Sequence, residues 1–552
     1  MVSQASALFY HTLLQMIRHG LLYLYLVLLC ASIGCKDKPE EQQAPDPDKP
    51  EEPAVASTTA DKALLDKVQE ATFRYFWDYA HPASGMARER TGSGDLVTSG
   101  GSGFGMQALV VGVERGWISR QQALERLHKI TDYLAKADRF HGAWPHWMNG
   151  NTGAVIPFSA KDNGGDLVET SFLINGLLVA RAYFNGSDVQ EEALRNKITK
   201  LWEEVEWDWY ASRGDGLLYW HWSPNFGWEM NMPIHGWNEA LITYILALAS
   251  PTHAIAPPVY QRTWVNRKSG TYEGYRLEMG PGYGGPLFFA HYSFLSLDPK
   301  QMEDQLTNYW LHNLKHTLIN RGWSLYSAPK SYGYSSGNWG LTASDDPGGY
   351  LAHEPLNDNG TIAPTAALSS FPYTPFYSMQ ALRNFNGMQQ LWGAYGFKDA
   401  YNKSRNWFAS DHLAIDQGPI VIMVENYRSG LLWSLFTGLP EVQAGLAKAG
   451  IRKPVYESGF PLAIPDVRSG VVDLLKHPDK DAYLVGVGIK AGGSYTLTLE
   501  TTAGSVVETI WDNKSKTEGL HEVAFGKAIP VGAYNLRLKG GGIDKELAVY
   551  LR

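Results

Sequence analysis

The sequence predicts a mainly α-helical protein whose helices pair into an (α/α) toroid, followed by a small C-terminal antiparallel β-sandwich. Three observations carry this. From residue 60 to about residue 438 the strong hydrophobic periodicities are helical. Some helical stretches, LVETSFLINGLLVA and ALITYILALA, are apolar on every side and so belong in the interior, whereas others, such as SRQQALERLHKITDYLAKAD, keep one polar face for water. Buried inner helices alternating with amphipathic outer ones is the pattern of a toroid. From about residue 482 the period drops to two, in short runs bounded by Gly, Pro, Lys and Asn.

Taken in chain order, residues 21–33 (LLYLYLVLLCASI) form an apolar run preceded by Arg18 and His19. It is shorter than the roughly 20 residues of a membrane span and fits the hydrophobic region of a secretory signal. Ser32-Ile33-Gly34-Cys35 resembles a bacterial lipobox, and Met16 is an alternative signal-peptide start. Residues 1–35 are therefore read as a lipoprotein signal peptide that leaves a lipidated Cys35. The mature protein is expected to be exported and lipid-anchored, in the outer membrane or periplasm. Residues 36–61 are rich in Pro, Asp, Glu and Lys, and bury too little apolar surface to offset the entropy of ordering. They read as a tether.

Residues 62–470 are assigned to one helical domain. ADKALLDKVQEATFRYFWDYA places Leu64, Leu65, Val68, Ala71, Tyr75 and Phe76 on one helical face. Further helices are expected at 103–115, 119–137, 166–184, 189–206, 237–249, 285–296, 301–320, 375–396 and 418–437. The Gly-, Trp- and Tyr-rich loops between them would form the rims of a cleft, where functional residues tend to sit. Residues 475–552 are assigned to the β-sandwich through AYLVGVGI, SYTLTLETT, SVVETIW, HEVAF, AYNLRLK and ELAVYL. Nothing in them looks catalytic.

Charge and composition limit the function classes. Of the net charge of −8, residues 36–61 carry −5 and residues 1–35 carry +1, leaving about −4 for the folded remainder. That near balance offers no electrostatic footprint for nucleic acid. The only cysteines are Cys30 and Cys35, so the body has no disulfide framework and no thiolate metal site. The sequence has no P-loop or H-E-x-x-H, and no cofactor is called for. Aromatic residues make up 12 %, with 19 Trp and 30 Tyr, many in Gly- and Pro-containing segments that suit ring stacking as well as core packing.

The chemistry-bearing residues fall in carboxylate clusters set among aromatics. KDNGGDLVETSF holds Asp162, Asp166 and Glu169, close to Trp144, His146 and Trp147 of AWPHWMNGNTG. Were the helix to extend back to Asp162, the three acids would share one face. Asn163-Gly164-Gly165 argues instead that Asp166 caps a helix starting at Leu167, and that Asp166 and Glu169 form a D-x-x-E capping pattern. In MPIHGWNEALITY, Glu239 opens an apolar helix just after His235 and Trp237. Burial there should raise its pKa, which suits a general acid. DQGPIVIMVENYRSG offers Asp416 as an N-cap, and Glu425 with Arg428 as an i,i+3 ion pair or as substrate contacts. Asp345, Asp346, Glu354 and Asp358 are loop carboxylates that suit subsites or turns.

Together DNGGDLVETSF, GWNEA, WGLTASDDPGGY, GTIAPTAALSSFPYTP and DQGPIVIMVENYRSG resemble glycoside hydrolase family 144, the glucoamylase-like proteins of Bacteroidetes, from about residue 62 to 465. The resemblance implies an (α/α)6 barrel that cleaves β-1,2-glucan with inversion, either endo or exo with release of sophorose. Its important carboxylates map onto Asp162, Asp166, Glu169 and Glu239. On this reading Glu239 is the acid, and the Asp162/Asp166/Glu169 cluster activates water. Trp144, His146, Trp147, Trp237, Asp345, Glu425 and Arg428 are candidate substrate contacts. Two other readings share much of the sequence: a glycan-binding surface lipoprotein without hydrolysis, and an α-glucosidase of glucoamylase type.

Overall fold

The computed structural model describes residues 59–263, 268–454, 472–476, 483–489, 492–516, 519–526, 529–530 and 532–551. All described residues belong to one compact unit, Ala54–Arg552. The expected signal peptide, lipobox and almost all of the tether lie outside the described residues.

Thirteen α-helices are described. They are α1 (Thr59–Asp78), α2 (Ser99–Glu114), α3 (Arg120–Leu134), α4 (Leu167–Tyr183), α5 (Val189–Glu203), α6 (Leu241–Ala249) and α7 (Pro257–Thr263). After these come α8 (Tyr309–Gly322), α9 (Pro364–Leu368), α10 (Pro375–Asn386), α11 (Ala414–Arg428), α12 (Leu431–Thr437) and α13 (Pro440–Ala449).

Hydrophobic patterning decides which helices are internal. α2 is buried continuously from Ser99 to Gly112 and α4 from Leu167 to Ala180, while all nine residues of α6 are buried. In α3 only Ala123, Leu124, Leu127, Ile130, Thr131 and Leu134 are buried, one stripe at helical spacing. α5 likewise buries a stripe through Leu194, Ile198 and Leu201. Buried and amphipathic helices thus alternate from α2 to α6, and α2 packs against α4, α4 against α6, and α11 against α2 and α1. Where α2 and α4 cross, a Cβ on Gly103 would lie 2.1 Å from the Phe172 carbonyl oxygen, and one on Gly176 would lie 2.1 Å from that of Gly103. Only glycine permits backbones to approach so closely.

Several expected boundaries shift, each for a local reason. The helix expected at 237–249 starts at Leu241, because Asn238 forms a turn in which its side chain accepts from the Ala240 N–H (2.9 Å). The segment 285–296 forms two 3-10 turns, Leu287–Ala290 and Tyr292–Leu295, rather than an α-helix. The helix expected from 301 begins after Asn308, whose side chain caps Leu311 N (3.1 Å). The run expected at 418–437 breaks into α11 and α12 at Gly430, which takes a left-handed φ of 69°. Asp416 is not an N-cap: Leu413 holds that position and Asp416 lies in the first turn of α11.

At the C-terminus, Val472–Lys476, Tyr483–Ile489 and Gly519–Phe525 form a three-stranded antiparallel sheet. Val506–Lys516, Gly493–Thr501, Gly532–Gly540 and Ile543–Leu551 form, in that order, a four-stranded antiparallel sheet. Val485, Val487 and Ile489 of the first share one buried cluster with Leu497, Leu499, Leu536 and Leu538 of the second. The strand at 472–476 starts ahead of the runs read from the sequence. Among the described residues no helix is long and apolar enough to cross a membrane.

Candidate active site

The N-terminal ends of buried helices carry the acidic side chains. Asp166 caps α4: its Oδ1 accepts from the Glu169 N–H at 2.9 Å, and its Oδ2 lies 3.2 Å from His146 Nδ1. The capping pattern is made on this side only. Glu169 does not reach back to Asp166; its Oε2 accepts from the Gly100 N–H, at the start of α2, at 2.8 Å. A Cβ on Gly100 would sit 2.4 Å from that oxygen, so the contact requires glycine. Burial pushes the His146 pKa down, but the Glu169 and Asp166 carboxylates outweigh it and hold it above the usual value. Burial likewise favours the neutral form of Asp166, yet the His146 hydrogen bond and charge dominate and its pKa is lowered. Glu169 is raised, chiefly by burial and also by Asp166, against the pull of His146. The imidazole of His146 stacks on Phe158 at 4.1 Å, and Trp147 meets Phe158 edge-on at 4.7 Å, forming an aromatic wall above Asp166.

Glu239 precedes α6 by two residues and is 2 % exposed. Its Oε2 has no hydrogen-bond partner in the protein. Its backbone is clamped, because Ser293 Oγ donates to the Glu239 carbonyl and accepts from the Ile242 N–H (3.0 Å). Burial pushes its pKa up to about 7, helped by the negative charge of Glu169 and Asp166 and opposed by its own N–H. A neutral carboxyl with a free oxygen, coupled to an ionised carboxylate, is the pairing that acid–base hydrolysis needs.

A second acidic group extends from α11. Asp416 is 1 % exposed and hydrogen-bonded to Asp399, and its pKa is raised by burial and by Asp399. Asp399 is pushed up to about 7 by burial and by Asp345, and its Oδ2 accepts from the Asp345 N–H at 2.6 Å. Asp345 Oδ1 in turn receives Arg90 Nη1 at 2.9 Å. The sequence reading did not place Asp399, Asp416 or Arg90 in the site. The signal was present in DQGPIVIM, an acid at the start of an apolar helix, the same pattern that marks Glu239.

Other candidates lie elsewhere. Asp162 does not share a helical face with Asp166; its Oδ1 lies 3.0 Å from His221 Nε2, and the strand His221–Trp222 pairs with Gly165–Asp166, so Asp162 braces the backbone of the cap. Trp144 is fully buried, with Nε1 donating to the Leu134 carbonyl (3.2 Å) and Arg139 over its ring at 4.1 Å, so it has no face for a sugar. Trp237 is also buried, packed beside His312 at 4.3 Å and near Phe294 and Tyr309. Glu425 and Arg428 do not pair. Glu425 takes a two-pronged contact from Arg115 (2.7 and 2.8 Å), and Arg428 binds Asp66 at 2.6 Å. Both sit at the far end of α11, Glu425 about 13 Å along the axis from Asp416.

Buried carboxyls at helix termini beside aromatic rings suit the chemistry of a helical glycoside hydrolase. The family model described as "Putative glucoamylase" matches residues 231–440. The endo-β-1,2-glucanase of Chitinophaga pinensis, solved with sophorotriose and glucose, is 53 % identical with a TM-score of 0.70, covering 72 % of this chain and 100 % of that one. A β-1,2-glucanase of Parabacteroides distasonis is 46 % identical with a TM-score of 0.70, covering 71 % of this chain and 60 % of that one. The exo β-1,2-glucooligosaccharide sophorohydrolase (non-reducing end) of the same species is 47 % identical over 425 residues, 71 % of this chain and 59 % of that protein. The chain thus spans about three-fifths of that relative's length. It belongs to glycoside hydrolase family 144, the glucoamylase-like family.

Proposed function

We propose that this protein hydrolyses β-1,2-glucan with inversion, endo or exo with release of sophorose. Glu239 protonates the leaving glycosidic oxygen. The Asp166–Glu169 pair, in which Asp166 supplies the ionised carboxylate, activates water directly or through a relay. Direct inversion needs carboxyls roughly 6.5–9.5 Å apart, and a relay extends that reach. The observation that carries the reading is the buried Glu239, with one free oxygen and a pKa of about 7. The names of the 46–53 % identical relatives support the substrate. His146 and Trp147 are read as substrate contacts. The helices are read as closing into an (α/α)6 toroid, and Cys35 as a lipid anchor holding the protein at the outer membrane or in the periplasm.

Incubation with linear β-1,2-glucan and product sizing test this. New reducing ends with sophorose alone mean exo action, and a ladder of sizes means endo action. Glu239→Gln is expected to lose about 10²–10⁴-fold in kcat. Near-normal turnover in that variant would remove Glu239 as the acid. Glucan binding without new reducing ends in the natural protein would favour a capture protein.

A further inference from the structure

Tyr292 does not fit its surroundings. It lies in the turn Tyr292–Leu295, 2 % exposed, with its ring packed against Phe104 (5.3 Å), Phe172 (5.8 Å) and Phe288 (5.0 Å). Its hydroxyl has no hydrogen-bond partner in the protein. An unsatisfied buried hydroxyl is destabilising, and phenylalanine would serve the same packing without that cost. The hydroxyl therefore has a reason that the fold does not supply.

Its position supplies one. The hydroxyl lies within electrostatic reach of Asp416, Tyr350, Glu239 and Glu169. The turn is fixed to both sides. Ser293, the next residue, holds the Glu239 carbonyl and the start of α6, and the turn packs on α6 and on α11, which carries Asp416. Glu239 Oε2 also lacks any N–H or protein hydroxyl donor. The unpartnered phenol of Tyr292 and the unpartnered Oε2 of Glu239 thus belong to neighbouring parts of one clamped block. A ligand dense in hydroxyls, each able to donate and accept, satisfies both.

We propose that Tyr292 is a substrate-contacting residue whose hydroxyl binds a glucosyl hydroxyl beside Glu239, fixing the ring for proton delivery from Glu239. The proposal rests on the reading of the protein as a glucan hydrolase. The phenol donates to or accepts from the sugar and forms or breaks no covalent bond.

Tyr292→Phe tests it, because the ring packing is kept and only the hydroxyl is lost. The expected result on linear β-1,2-glucan is a fall in kcat/KM of about tenfold or more. The Tm is expected to stay unchanged or rise, and the pH profile to keep its shape. Natural kcat/KM in the variant would overturn the proposal and leave the hydroxyl to an ordered water. So would lost activity with a Tm lowered by several degrees, since the hydroxyl would then have a structural partner. Calorimetric titration of sophorotriose into Glu239→Gln and Glu239→Gln/Tyr292→Phe separates this from the hydrolase reading. A Kd weakened about tenfold in the double variant supports the contact even if the natural protein cleaves nothing. Equal Kd values together with equal rates for the single Tyr292→Phe variant reject it.

Discussion

Glu239 keeps its proton near neutral pH because water cannot reach it and Glu169 and Asp166 repel a further negative charge. Its folded pKa of about 7 stands above the ordinary 4.5, so between these values the folded chain binds a proton that the unfolded chain has released. The associated stability is complete below about pH 4.5 and is lost as pH rises through about 7, on the order of 3 kcal/mol. Glu239→Gln removes that dependence. The Tm of the variant minus that of the natural protein, measured by calorimetry, is expected to be small at pH 5 and about 2 °C or more larger at pH 8. On the proposed reading, activity should fall through the same window, as Glu239 loses its proton. Glu239 was legible in the sequence because a carboxyl entering ALITYILALA has no cheap charged state. Tyr292 was not legible, since an unpartnered hydroxyl is a property of what surrounds it in space. The burial of Trp144 and Trp237 was not legible either, since aromatic neighbours in sequence do not tell a core from a surface.

At the scale of elements, caps and crossings place the acids. α2 and α4 start where acidic side chains meet N–H groups, and a helix N-terminus favours negative charge there. The Asp166 cap was readable from D-x-x-E, but the destination of Glu169 was not, because Gly100 comes from a helix 69 residues earlier in the chain. The α2–α4 crossing depends on Gly103 and Gly176. Gly176→Ala is expected to destabilise the protein by about 2–3 kcal/mol, read as a lower midpoint in urea, since no side chain can yield to relieve a clash with a carbonyl. The helices at Ser99–Glu114, Arg120–Leu134, Leu167–Tyr183 and Val189–Glu203 were legible in type and place from period alone. The segment 285–296 was not, because a short apolar run carries no period, and its backbone closes i,i+3 turns such as His291 N to the Phe288 carbonyl (3.0 Å).

At the scale of the whole molecule, the balance of charge outside the tether matches a neutral polymer. Rates on β-1,2-glucan are expected to change less than about twofold between 50 and 300 mM NaCl, because no long-range attraction is there to be screened. A steep salt dependence in initial rates would point to a charged substrate. The split between helical body and C-terminal sheets was legible from the change of period. The Ser293 clamp carries one more consequence. The carbonyl of Glu239, the first turn of α6 and the turn bearing Tyr292 are joined as one block. On the proposed reading, any adjustment to a glucan chain is left to the surface loops, while Glu239 and Tyr292 stay fixed to each other. Loop exchange alone would suffice for one scaffold to diverge between trimming chain ends and cutting chain interiors, with its acid unmoved.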